Sequence, residues 1–157
     1  LFRGGTGGQR RLADAAALIG GKDDYGVGEI HGPALGVSET AVLAHLQGKT
    51  RQAIQLYEWL LTLAPRSKSL LMRLAAALAS TGMDDAAVQT YEELLAVDPN
   101  HLGALRSVAR LAMKHSHDAQ ARQCFERILQ VHPGDLEAKQ GLRNLDALGT
   151  IKKGFST

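Results

Sequence analysis

From Ala34 onward the apolar positions recur at helical spacing, and the blocks they form are broken at regular points by glycine, serine or proline. Pro65, Pro99 and Pro133 stand 34 residues apart, and Tyr57, Tyr91 and Phe125 keep the same interval. So do Ala41, Ala75 and Ala109, Ala53, Ala87 and Ala121, Leu61, Leu95 and Leu129, and Glu58, Glu92 and Glu126. The pattern predicts helix pairs over residues 34–64, 68–97 and 102–131, then a last helix over 136–148. Each proline closes a pair, because it cannot donate to a helix and drives the preceding residue out of helical geometry. Within each pair Gly48, Gly82 and Ser116 mark the turn, and Thr50, Asp84 and Asp118 are the predicted N-caps of the second helix.

Small residues at the repeating alanine positions let the paired helices approach closely, and the larger side chains fill the space beyond them. Tyr57, Tyr91 and Phe125, with Leu60, Leu94 and Ile128 three residues on, form one apolar stripe and are expected in the core. Trp59 has no aromatic counterpart at Glu93 or Arg127, so it is expected to cover an edge of the first pair or to anchor the segment before it. A period of 34 with paired helices, small residues, an aromatic and a closing proline resembles the tetratricopeptide repeat family from about Ala34 to Asp135. That resemblance implies an all-α fold, a right-handed solenoid of helical hairpins with units 34–67, 68–101 and 102–135. The first helix of the first unit is degenerate, with Thr40 and Ala44 where the next unit has Leu74 and Leu78. Residues 136–148 read as a terminal cap with Leu142, Leu145 and Leu148 on one side; Arg143 takes the alanine slot, and Gly149 is expected to end the helix before a tail of 149–157.

Ten of the 17 glycines fall in the first 36 residues, so residues 1–33 form a segment apart: Leu1–Gly8 reads as a linker and Gln9–Ile19 as a solitary helix stopped by Gly20 and Gly21. A start at Leu1 fits a piece of a longer protein. With 22% charged and 45% hydrophobic residues and a net charge of +2, the composition is that of a soluble helical domain. No apolar run reaches the ~20 residues of a membrane span, and Asp14 interrupts the only stretch with a signal-peptide look, so membrane insertion is not expected and the cytoplasm is the expected compartment, with the periplasm open to a longer secreted chain. The single cysteine, Cys124, reads as a small buried side chain.

Candidate chemistry is sparse. His101, His115, His117 and His132 lie near turns without a carboxylate or cysteine set at metal-ligand spacing, and Gly4, Gly5, Gly7 and Gly8 lack the Gly-Lys-Ser/Thr sequence of a phosphate loop. No nucleophile is placed beside a base, so neither catalysis nor a cofactor is expected. Arg106, Arg110 and Lys114, four apart, share one helix face. The resemblance implies that first helices line a concave groove, which would take these three with Met113, Met72 and Ala76 from the second unit, and Val42 and His45 from the first. A basic groove favours an acidic peptide, although a solvated helix face accounts for the same spacing. Nucleic acid is not expected: 18 basic residues meet 16 acidic ones, and no aromatic surface accompanies the arginines. Family members that clamp the carboxylate tails of chaperones use lysines and asparagines where this chain has Ser38, Val42 and Arg73, so that activity does not carry over. The resemblance implies a non-catalytic adaptor or assembly module; a regulatory or docking arm of a larger enzyme and a dedicated chaperone for secreted bacterial proteins stay open beside it.

Overall fold

The structure is a computed structural model describing residues 33–155; the expected linker at Leu1–Gly8 and helix at Gln9–Ile19 lie outside the described residues. Among the described residues there are seven helices and no strand: α1 Pro33–Leu46, α2 Thr50–Leu63, α3 Lys68–Ser80, α4 Asp84–Val97, α5 Leu102–Lys114, α6 Asp118–Val131 and α7 Leu136–Gly154. They fall into two compact units that divide within α4, between Thr90 and Tyr91.

Each helix pair turns on one residue in the left-handed region: Gly48 at φ 78°, Gly82 at 80° and Ser116 at 59°. The chain closes these turns identically. The N–H of Lys49 donates to Ala44 O (2.8 Å), that of Met83 to Leu78 O (3.1 Å) and that of His117 to Ala112 O (2.8 Å), the six-residue bond of a Schellman stop. This geometry corrects the predicted caps. Lys49 and His117 take the cap positions of α2 and α6, without a side-chain bond, and Thr50, Asp84 and Asp118 become the first helical residues instead. The turn is so short that the residue after the left-handed one must already open the next helix. Asp84 and Asp118 still complement the helix dipole from the first turn.

Side-chain caps belong to the first helices. Ser67 Oγ accepts from Leu70 N–H (3.4 Å), His101 Nδ1 from Ala104 N–H (3.1 Å) and Asp135 Oδ1 from Ala138 N–H (2.8 Å). These three also stand 34 residues apart. Each satisfies a donor that the helix cannot use itself, a contribution of about 1 kcal/mol.

In the first unit α1 packs on α2 and α2 on α3; Ala41, Ala53, Ala75 and Ala87 are completely buried, as are Leu60 and Leu70. In the second, α5 packs on α6 and α6 on α7, around Leu105, Ala109, Ala121 and Ile128. Tyr57, Tyr91 and Phe125 lie in the core as the spacing predicts. Burial of each large apolar side chain contributes about 1.5–3 kcal/mol, more than any cap.

The last helix departs from expectation. Gly149 does not end it, because that residue keeps helical geometry; α7 runs on to Gly154, and the Phe155 N–H closes it on Ile151 O (3.2 Å). The extension is held from α6, where Asp118 accepts from Lys152 Nζ (2.5 Å), and Arg122 pairs with Asp146 (2.6 Å) one helical turn before Gly149. The apolar seam of α7 is narrow: Ala138, Gly141 and Leu145 alone are buried. Gly141 sits against the Phe125 ring, and a Cβ there would lie 2.4 Å from two ring carbons.

Gly141→Ala is therefore expected to destabilise the second unit by about 1–3 kcal/mol in thermal or urea unfolding, in spite of the better helix propensity of alanine. Ser116→Gly, which relieves the one described non-glycine residue at positive φ, is expected to stabilise by up to about 1 kcal/mol in the same assay.

Candidate functional site

The expected site residues divide between the two units. In the first, Val42 and Met72 are half-buried on α1 and α3, Ala76 is exposed, and His45 has Nδ1 enclosed without a hydrogen-bond partner among the described residues. In the second, α5 carries Arg106 and Met113 half-buried and Arg110 and Lys114 exposed.

The α5 spacing does bring Arg106 and Arg110 onto one face, but that face is not an unpaired basic stripe. The N-terminus of α7 supplies two carboxylates to it, Asp135 from the cap and Glu137 from the first turn. Arg106 Nη2 donates to Asp135 Oδ2, while the other Asp135 oxygen caps α7. Arg110 makes a bidentate pair with Glu137, Nε to Oε1 at 2.6 Å and Nη2 to Oε2 at 2.9 Å. Glu137 Oε2 also lies 3.7 Å from Arg106 Nε, so a single carboxylate faces both guanidinium groups.

The two acids differ in setting. Asp135 is 5% exposed, and its bond from Arg106, helped by the Ala138 N–H, holds its carboxyl below the ordinary carboxylate value. Glu137 is 38% exposed and Arg110 65%, so their pair lies open to solvent; the Glu137 hydrogen bond holds the guanidinium above its usual value. An exposed pair of this kind is worth little to the fold. Neither acid was legible as part of the site. The cap role of Asp135 carried a signal in its 34-residue alignment with Ser67 and His101, whereas Glu137 aligns with Gly103 and Ser69 and carried none.

A concavity of about 490 Å³ opens between α4 and α6 in the second unit, lined among others by Glu92, Val108, Gln120, Gln123, Cys124 and Arg127. Burial pushes the Cys124 thiol up, so it sits there as a protonated, inert group. No group of three or more metal-ligating side chains occurs among the described residues, and no described helix is long and apolar enough to cross a membrane.

Hairpins of this period, with a left-handed turn residue and buried alanines, define a class, and comparison identifies it. Residues 44–111 match the family model of the tetratricopeptide repeat. That segment is of tetratricopeptide repeat type, and the described helices have the all-α hairpin fold of that family's solved members. Among solved structures it is similar to a tetratricopeptide repeat protein from Parabacteroides merdae, with a TM-score of 0.69 and 24% identity over 73% of this chain. It spans 44% of that protein's length. The second TPR domain of human RPAP3, solved with the HSP70 peptide SGPTIEEVD, gives a TM-score of 0.63 at 18% identity over 70% of this chain and 92% of its own. The Yersinia enterocolitica type III secretion chaperone SycD, solved with a peptide of the translocator YopD, gives 0.60 at 18% identity over 75% and 91%. These likenesses are of fold. No curated protein matches the sequence.

Because the Asp135 carboxyl is depressed in the fold, its contribution is present above the unfolded value of about 3.9 and is lost as pH falls through the lower folded value. In acid titrations of thermal stability, Asp135→Asn should start below wild type at pH 7, lose less on acidification, and meet wild type at the acid end. Parallel curves would mean that the Arg106 contact adds nothing.

Proposed function

We propose that this chain is a non-catalytic interaction module that holds a peptide or helix of another protein on the faces of its first helices. Those faces comprise Val42, His45, Met72 and Ala76 in one unit, and Arg106, Arg110, Met113 and Lys114 in the other. The observation that carries this reading is the exposed Arg110 fork on α5, already shaped to grip a carboxylate with both oxygens. The fold likeness to domains solved with bound peptides supports the mode of action. It does not supply the ligand: the tail-clamp slots hold Ser38, Val42 and Arg73, so acidic recognition here would run through Arg106 and Arg110. Met113, on the same helix as the charges, would give an adaptable apolar contact, as Met72 would on the first unit.

The test is capture of the partner from the source organism and titration of its binding segment. Arg106 is left intact, since its loss would strand the buried Asp135 charge. Arg110→Ala with Lys114→Ala should weaken an acidic segment several-fold while the helical circular dichroism is unchanged, and added salt should weaken wild type in the same direction. Equal affinity of wild type and double variant at both salt concentrations would remove α5 from the binding surface.

A further inference from the structure

We propose that Glu137 occupies, within the chain, the place of a partner's carboxylate: the α5 arginines form a carboxylate receptor that the protein keeps filled, and an acidic peptide gains it by displacing Glu137. This rests on the reading of α5 as a binding face. Glu137 has the contacts of a ligand, both oxygens on the Arg110 fork and one of them 3.7 Å from Arg106 Nε. Its other tasks are minor: from the first turn it complements the α7 dipole, and through an exposed pair it adds a little to the placement of α7. Asp135 makes the α7 cap, and the aligned positions of the earlier repeats, Gly103 and Ser69, hold no acid, so a first helix of this fold forms without one there.

The neighbouring carboxylate shows what a fixed pair looks like by contrast. Asp135 is buried, serves Ala138 and Arg106 at once, and cannot leave without uncapping α7. Arg110 is mostly exposed and Glu137 more than a third exposed, so the Glu137 side chain has room to swing out while its backbone stays helical. The pair is weak enough to be exchanged and shaped well enough to select. The ligand chemistry is a carboxylate on a peptide, either a side-chain or a chain-terminal one.

The test uses two labelled pentapeptides at low salt: pentaglutamate with both ends blocked, and pentaalanine with a free terminal carboxylate. Glu137→Gln should bind one of them roughly two- to fivefold more tightly than wild type, the range set by freeing an exposed ion pair. The responding peptide identifies the carboxylate source. Adding Arg110→Ala should cancel the gain. Glu93→Gln, which removes an exposed acid elsewhere and gives the same net charge, should leave the affinity at the wild-type value. Glu137→Ala, checked by circular dichroism, guards against a defect peculiar to glutamine. Equal binding by wild type and Glu137→Gln, with both weakened by Arg110→Ala, overturns the displacement and spares the binding face. Binding indifferent to Arg110 in every variant overturns both.

Discussion

Close approach of paired helices is the constraint from which the rest of this structure follows. Ala41, Ala53, Ala75, Ala87, Ala109 and Ala121 are all completely buried, and only a methyl group fits where two helix backbones nearly touch. Helices held that near one another need a connection of minimal length. The chain meets this with one left-handed residue per turn, followed at once by the next helix. Displaced from the seam by the alanines, the bulk of the core passes to Tyr57, Leu60, Tyr91, Leu94, Phe125 and Ile128. The 34-residue period is thus the length of one solution to a packing problem, repeated.

This explains why the helices were nearly all legible. Alanine, aromatic and proline positions are local answers to a recurring geometry, so they recur in the text of the sequence. The misreadings occurred where the outcome depends on something non-periodic. The caps of the second helices fall one residue early because the Schellman bond, which pattern alone does not reveal, fixes where the next helix opens. Gly149 looked like a stop, but a glycine ends a helix only if it turns left-handed; here Thr150 bonds back to Asp146 O (3.0 Å) and Lys152 reaches Asp118 on α6, so the helix continues. The close contact at Gly141 carries no such signal either: the repeat aligns position 143 with the buried alanines, yet Arg143 is exposed and the contact falls on a glycine two residues earlier.

The site was half legible for a related reason. Four-residue spacing of Arg106 and Arg110 is a local property and put both on one helix face, as the structure has it. Their carboxylates come from 29 and 27 residues away, and only the stacking of α7 beside α5 brings them in. A charge stripe read from sequence therefore gives the face and not its electrostatic state. Here the difference matters, since an uncovered pair of arginines and a pair already facing Glu137 attract an acidic chain to very different extents.

The last helix shows how such charges come to serve two purposes. With Ala138, Gly141 and Leu145 as its whole buried seam, α7 has too little apolar area to be positioned by burial alone. Arg106, Arg110, Arg122 and Lys152 supply the remaining direction, each reaching an acid across a helix boundary. Exposed pairs of this kind add little stability singly, but they define a register, because a one-turn slip would break them all together. Of the four, the Arg106–Asp135 pair is tied to a helix cap and buried, and is fixed. The Arg110–Glu137 pair is neither, and the same weakness that makes it a minor support for α7 is what, on our proposal, would let a ligand's carboxylate enter there without disturbing the fold.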